Sequence, residues 1–127
     1  MTNKQKLKTK ADKLWFQKGM EGLADDFDVV KCQICDDNAY CLHHFYYKSN
    51  YGHLRYDFDN AVPLCKKHHF LLHHQDPKKI EDMIIQERGK KWFNRLKKKA
   101  YQRPKSSYLT IKYYEDIIKK LNEPNLS

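Results

Sequence analysis

The sequence predicts a small α+β domain that is mostly helical, with one pair of short strands flanked by α-helices. Its 127 residues are enough for one compact domain rather than two. Only 40% of the residues are apolar and 32% are charged, so we expect a small core that needs an additional staple. Apolar residues at helical spacing recur along most of the chain, whereas strand-like runs beside turn residues lie between positions 39 and 64.

The N-terminal part divides into a basic start, a helix and an acidic connector. Residues 1–10 are polar and rich in lysine, and we interpret them as a disordered basic tail. Residues 11–23 carry an apolar side and predict a short helix. Residues 25–28 include three aspartates and lead to the sequence Cys32-Gln33-Ile34-Cys35, which predicts a tight knuckle. A strand is predicted after it, over 39–45.

The middle of the chain predicts a loop, a second strand and a helix. Residues 47–60 are rich in Asn, Gly, Ser and Asp, which is typical of a loop. A short strand follows over 61–64. Apolar and histidine residues then recur at helical spacing over 65–74.

Two further helices follow, separated by a glycine. Asp76 before Pro77 has the pattern of an N-cap and a first helical residue, so a helix is predicted from there to Arg88. Gly89 interrupts the pattern, and a strongly basic helix is predicted over 90–101.

The C-terminal segment contains a linker and an amphipathic helix. We therefore divide the chain into the tail 1–10, a folded domain over 11–105, and the segment 106–127. Within that last segment, residues 110–121 place apolar side chains on one face. Such a face can pack on its own domain or form a homodimer, and both arrangements stay open.

The four cysteines are expected to bind metal rather than form disulfides. Met1 to Lys10 lacks the apolar run of a signal peptide, and no run of about 18 apolar residues is present to span a membrane, so we expect a cytoplasmic protein. Cys32 and Cys35 pair with Cys65 and His68, also spaced by two residues, about 30 positions later. Two such pairs supply the four soft ligands of a structural zinc site. Cys41 is left over as a small buried strand residue.

The histidines predict a second metal site. His43 and His44 are adjacent on a predicted strand, and their side chains therefore point to opposite faces. His69 and His73 are four residues apart on a predicted helix, so they can bind one ion together. An alternative is a single zinc-finger-like site formed by Cys32, Cys35, His69 and His73. His53 is interpreted as a surface or substrate-facing residue, and His74 as a neighbour of the site.

The charge predicts a polyanionic partner, and nucleic acid is the class we expect. Lysine and arginine number 25 against 16 acidic residues, a formal net charge of +9. Six lysines fall within the first 18 residues, and nine basic residues but no acidic ones lie between positions 88 and 105. The residues predicted to bind DNA are Arg88, Lys90, Lys91, Arg95, Lys97, Lys98, Lys99, Arg103 and Lys105.

Together these motifs resemble the signature of the HNH, or ββα-metal, endonucleases. The resemblance covers Cys32-Gln33-Ile34-Cys35, Leu42-His43-His44-Phe45 and the run Asp59-Asn60-Ala61-Val62-Pro63-Leu64-Cys65-Lys66-Lys67-His68-His69. Two features depart from the pattern. His68 replaces the usual fourth cysteine, and the loop at 48–52 lacks a Gly-Gly pair.

The resemblance implies a division of roles between the two sites. His43, His69 and His73 would hold a catalytic divalent ion, with Mg²⁺ or Mn²⁺ expected. His44 would be the general base, and Asn60 would steady the hairpin and keep His44 oriented. Hydrolysis of a DNA phosphodiester would then leave a 5′-phosphate and a 3′-hydroxyl.

A narrower resemblance covers most of the chain. The early tryptophan, Gln75-Asp76-Pro77, the segment 89–96 and the terminal helix are similar to the bacteriophage NinG/Rap recombination nucleases. That family implies cutting of branched DNA such as Holliday junctions or D-loops, in the host cytoplasm if the chain is phage-encoded. The alternatives are a general nicking or double-strand HNH nuclease and a non-catalytic zinc module that binds DNA.

Overall fold

The structure is a computed structural model and describes residues 1–123. In this range it has five α-helices and a two-stranded antiparallel sheet, which confirms the small, mostly helical α+β class. The elements are α1 (Asn3–Leu23), β1 (Cys41–His44), β2 (Ala61–Leu64), α2 (Lys66–His74), α3 (Pro77–Arg88), α4 (Lys90–Tyr101) and α5 (Ile111–Asn122). Short 3₁₀ turns lie at Gly52–Leu54, Phe58–Asn60 and Ser106–Tyr108. The last four residues of the predicted segment 106–127 are outside the described residues.

The interpretation of residues 1–10 as a disordered tail is wrong, because helix α1 begins at Asn3. The Thr2 side chain accepts a hydrogen bond from the backbone of Gln5, and the Gln5 side chain accepts one from the backbone of Thr2. This capping box satisfies two amides that would otherwise lack partners. Lysine is itself a good helix former, and Leu7 packs against the buried cluster that α1 shares with α5. The lysine-rich segment at the start of the chain is therefore the first part of helix α1.

The two strands pair in a register that separates the adjacent histidines. Cys41 lies opposite Leu64, and His44 lies opposite Ala61. Because side chains alternate between the faces of a strand, His43 and His44 point to opposite sides of the sheet. The strand predicted over 39–45 is slightly shorter in the structure, and the strand predicted over 61–64 has the predicted bounds.

Local capping residues set the helices that follow the sheet. The thiol of Cys65 accepts from the His68 amide at the start of α2. Asp76 caps α3 by accepting from Lys79, with Pro77 in the first turn, as predicted. Gly89 has a φ of 98°, a conformation that favours glycine, and it separates α3 from α4. These three boundaries are confirmed.

The interior has two adjoining apolar clusters. One lies beneath β2 and helices α2 to α4 and includes Leu64, Leu72 and Leu96. The other joins α1 to α5 and includes Trp15 and Ile118. Residues Tyr114, Ile118 and Leu121 on the apolar face of α5 thus pack against α1 within the chain. Within residues 1–123, no helix combines the length and the apolar character required to cross a bilayer.

Candidate functional site

The structure brings together Cys32, Cys35, Cys65 and His68. The Cys35 and Cys65 sulfur atoms are 3.8 Å apart, and Nδ1 of His68 is 3.7 Å from the sulfur of Cys32 and 3.3 Å from that of Cys65. With Zn–S near 2.3 Å and Zn–N near 2.0–2.1 Å, the edges of a tetrahedron are about 3.8 Å for two sulfurs and about 3.5 Å for sulfur and nitrogen. The four side chains therefore fit a tetrahedral zinc ion, and this group could hold a structural metal.

Backbone hydrogen bonds position these ligands. The amide of Cys32 donates to the carbonyl of Asp37, which closes the knuckle, and the amide of Gln33 donates to Pro63 on strand β2. Burial acts to raise the pKa of the Cys32 thiol, but backbone amides of Cys65, Ile34 and Cys35 outweigh it and lower that pKa. A lowered pKa favours the thiolate, which is the form that binds metal.

A second cluster consists of His43 on β1 with His69 and His73 on α2. Their ligand nitrogens all lie within 4.8 Å of one another. Burial, then the neighbouring His73 and His69, lower the pKa of His43 to about 3, so its ring is neutral at neutral pH. Neutral imidazole is the metal-binding form. Because His69 and His73 lie with His43 and not with the cysteines, the alternative of one zinc-finger-like site is wrong.

Two tyrosines support this histidine cluster, and the sequence did not indicate them. The Tyr40 hydroxyl lies 3.3 Å from Nδ1 of His69. The Tyr47 ring contacts His43 edge-on at 5.9 Å and stacks on His73 at 6.2 Å. A partner on one ring nitrogen fixes the tautomer and orientation of the other, so Tyr40 leaves Nε2 of His69 as the free ligand atom.

His44 lies on the other face of β1 and is held from two sides. Its Nε2 is 2.9 Å from the carbonyl oxygen of Arg55. A carbonyl only accepts, so Nε2 carries the proton and Nδ1 keeps its lone pair. The Trp15 ring stacks on His44 at 4.3 Å with an angle of 12° between the planes. Burial lowers the pKa of His44, so the neutral ring is favoured.

An ion pair from α1 fixes the segment that carries this carbonyl. Nε and Nη2 of Arg55 donate to the two oxygens of Asp12 at 2.8 and 2.9 Å. The Tyr56 hydroxyl donates to the same carboxylate at 2.8 Å. Burial acts to raise the pKa of Asp12, but the bonds from Arg55 and Tyr56 outweigh it and hold that pKa below its usual value. Asp12 therefore stays ionised and ties α1 to the loop behind His44.

Asn60 is fully buried and holds the loop between the strands. Its side-chain amide donates to the carbonyls of Tyr46 and Leu54, and its side-chain oxygen accepts from the amide of Tyr46. None of these three bonds goes to His44. Asn60 therefore steadies the hairpin by fixing the loop that begins two residues after His44, and its part in keeping His44 oriented remains a prediction.

The histidines open onto one groove of about 610 Å³. Both His44 and the cluster of His43, His69 and His73 line it. Helix α1 forms one wall through Asp12, Trp15 and Phe16, and the remaining lining residues are Cys41, Leu42, Tyr47, Lys48, Ser49 and Arg55. The imidazole of His44 and the possible metal centre thus line one groove from opposite faces of β1.

Four of the nine basic residues predicted to bind DNA have internal partners instead. Arg88 donates to the carbonyl of Ala61 and lies over the Trp92 ring. Arg95 and Lys99 bind the carboxylate of Asp59. Arg103 donates to Asn50 and lies over the Tyr51 ring. The remaining five, Lys90, Lys91, Lys97, Lys98 and Lys105, are exposed.

Three further residues singled out in the sequence lie outside both candidate metal clusters: His53, His74 and Cys41. The Nε2 of His53, which was interpreted as a surface or substrate-facing residue, lies 3.0 Å from the carbonyl oxygen of Lys99. His74 is exposed, with its ring 4.7 Å from that of Phe70. The Cys41 thiol is half-buried and donates to the carbonyl of Leu64, and burial raises its pKa to about 11.

The imidazoles of His43, His69 and His73 could hold a metal ion, and the neutral imidazole of His44 lines the same groove. The ring nitrogens of His43, His69 and His73 suit a borderline divalent cation, and the Nδ1 of His44 suits a proton that leaves water. No family model, curated protein or solved structure matches this chain significantly.

Proposed function

We propose that the chain is a metal-dependent DNA endonuclease that hydrolyses phosphodiester bonds. One observation carries the proposal: His44 and the three-histidine cluster line the same groove, and His44 has a defined tautomer with Nδ1 unprotonated. Hydrolysis of a phosphodiester requires a base for water and positive charge at the phosphate. The groove brings together side chains for both requirements.

The residues of the chain divide these tasks. His44 accepts the proton of the attacking water on Nδ1, while the Arg55 carbonyl holds the opposite edge of its ring. His43, His69 and His73 would hold a divalent ion, which would supply Lewis-acid stabilisation of negative charge at the phosphate. Asn60 keeps the intervening loop in place.

The donor set also bears on the choice of ion. The described cluster consists of three imidazoles without a carboxylate. Mg²⁺ prefers oxygen ligands, whereas imidazole suits transition metals. Of the two ions expected from the resemblance, Mn²⁺ therefore fits the cluster better than Mg²⁺.

Cleavage of labelled DNA by a His44→Ala variant tests the proposal. We expect cutting with Mn²⁺ to fall by about 10²–10⁴-fold, the usual contribution of a general base, while DNA binding and zinc content stay unchanged. His74→Ala is the matched control, because His74 is an exposed histidine outside the cluster. Normal cutting by His44→Ala would disprove the mechanism.

The substrate within this class is a further part of the proposal. The resemblance to phage recombination nucleases favours branched DNA, such as Holliday junctions and D-loops. Four-way junction, linear duplex and single-stranded DNA should be cut in parallel at equal concentration. Preference for the junction supports the recombination role, and equal cutting of all three leaves a general HNH nuclease.

A second candidate is a zinc module that binds DNA without cutting it. The cysteine-containing group favours this candidate because its geometry fits zinc independently of the groove. Metal stoichiometry separates the two functions. One tightly held zinc alone favours the module, whereas zinc plus one exchangeable ion that is lost in His69→Ala favours the nuclease.

A further inference from the structure

Helix α1 carries a surplus of positive charge along its length. It contains six lysines against Asp12 and Glu21. Asp12 is bound to Arg55 and Tyr56, so its charge is already compensated. Lys18 forms an ion pair with Glu21 at 3.9 Å. Among residues 1–123, the other five lysines of α1 form no ion pair. Five exposed lysines of this helix are thus available to an external anion.

The spacing of these lysines relates two of them to the groove. Lys4, Lys8, Asp12 and Phe16 are spaced by four residues, so each is turned by about 40° from the next and the row winds gradually around α1. Asp12 and Phe16 line the groove. Each step of four residues advances about 6 Å along a helix, so Lys8 and Lys4 extend this row beyond the end of the groove. Lys48 is an exposed cation on the groove itself.

The lysines on the opposite side of α1 and those of the basic helix α4 are not in line with residues of the groove. Lys6 and Lys10 lie about 200° around the helix from Lys4 and Lys8 and border a separate depression with Lys13 and Gln17. Among the described residues, none of those lining the groove comes from α4. Arg95 and Lys99 of α4 are neutralised by Asp59.

We infer that Lys4 and Lys8 of α1, together with Lys48, bind the phosphate backbone of the DNA strand that enters the groove. This inference rests on the proposed function and adds the path of the substrate. Such contacts position a strand without reading its sequence. They also release counterions, which makes binding strongly dependent on salt. The row Lys4–Lys8 is a better candidate for this surface than the lysines of α4.

Paired substitutions of equal charge test the inference. The full chain is titrated with labelled duplex DNA at several salt concentrations, and Kd is measured by fluorescence anisotropy. In Lys4→Gln/Lys8→Gln, we expect the slope of log Kd against log salt to fall by about 2, since each phosphate contact in duplex DNA contributes about 0.9. Lys6→Gln/Lys10→Gln removes the same two charges from the other side of the helix, and its slope should stay near that of the wild type. Glutamine is a good helix former, and circular dichroism checks that α1 is retained in both variants.

The possible outcomes separate this inference from the function beneath it. The inference would be overturned if the two double variants had equal slopes, or if the slope fell only in Lys97→Gln/Lys98→Gln on α4. Cleavage by the wild-type protein would in that case leave the nuclease function intact. Wild-type protein that neither binds nor cuts DNA would overturn both. A loss confined to Lys4→Gln/Lys8→Gln supports the row on α1.

Discussion

The ring of His44 is held between an indole and a backbone carbonyl, and both come from outside the strand that bears it. Trp15 stacks on one face of the ring, and the Arg55 carbonyl binds Nε2. We expect Trp15→Leu to lower the single-turnover cleavage rate by about 10–100-fold, because a small displacement of a catalytic group is costly. The Kd for DNA should change little, and Trp15→Phe, which keeps a flat ring, should recover most of the rate. Equal loss in both variants would indicate general destabilisation instead.

At the level of single residues, the sequence predicted the candidate metal-binding clusters better than the side chains that contact them. The spacings of Cys32 and Cys35 and of His69 and His73 are local, so a knuckle or one helical face brings each pair together. Trp15, Asp12 and Tyr40 join the site only through tertiary packing, and no local spacing relates them to His44 or His69. The same limit explains Arg88 and Arg95, whose internal partners are 27 and 36 residues away.

Among the secondary-structure elements, α1 approaches strand β1 so closely that a glycine is required between them. A Cβ on Gly19 would lie 2.5 Å from Cδ2 of Leu42 and 3.2 Å from Cε1 of Phe58. We expect Gly19→Ala to lower the free energy of unfolding by about 1–2 kcal/mol, the usual cost of overpacking. Gly22→Ala is the control, since a Cβ there meets nothing within 4 Å, and it should stabilise the helix by about 0.5–1 kcal/mol. Chemical denaturation measures both, and a stabilising Gly19→Ala would contradict the close approach.

Helix α4 is tied to the 3₁₀ turn before β2 by an ion-pair network that should make stability depend on pH. The hydrogen bond from Arg95, followed by that from Lys99, holds the pKa of Asp59 well below its usual value. Because the pKa of Asp59 is lower in the folded than in the unfolded chain, ionised Asp59 stabilises the fold. This stabilisation is fully present above about pH 4 and is lost as the pH falls through the pKa of Asp59 in the folded state. Asp59→Asn should therefore cost about 1 kcal/mol between pH 5 and 7, since the pairs are partly solvated.

The pH dependence of that difference is the informative measurement. The gap between wild type and Asp59→Asn should narrow below about pH 4, whereas a gap that widens on acidification would refute the assignment. Asp57→Asn is a matched control with a smaller expected effect, because Asp57 pairs with Lys99 alone. The turn is kept in Asp57→Asn, since the asparagine side chain can still accept the hydrogen bond from the backbone amide of residue 59. In Asp59→Asn that hydrogen bond is unchanged.

The boundaries of α2, α3 and α4 could be predicted because each depends on a residue at the boundary itself. Asp76, Pro77 and Gly89 act through one turn of backbone. The start of α1 was missed because its lysines resemble a solvated tail when considered alone. Its stability depends on Leu7 and Ala11 packing in the cluster shared with α5, about a hundred residues later in the chain.

For the whole molecule, the zinc group is expected to decide whether the domain folds. Its four side chains come from the knuckle before β1 and from the start of α2, so a bound zinc ion would join these two segments. Cys65→Ser or removal of zinc with a chelator should abolish the cooperative thermal transition seen by circular dichroism. Cys41→Ser is the control, because Cys41 is outside the group, and it should retain one zinc and the transition. Cooperative melting of Cys65→Ser without metal would refute a structural role.

Because α1 packs on α5, the wall of the groove that α1 forms is anchored only late in synthesis. Trp15 and Asp12 form one wall of the groove, yet the helix that carries them is anchored by Tyr114, Ile118 and Leu121. Roughly ninety residues separate the end of α1 from the start of α5, so a ribosome needs on the order of ten seconds to supply the anchor. Only the last part of that interval, after His73 has been made, finds every histidine of the groove in the nascent chain without the anchor for this wall. The wall that α1 forms is therefore anchored only after α5 has been synthesised and has left the ribosome.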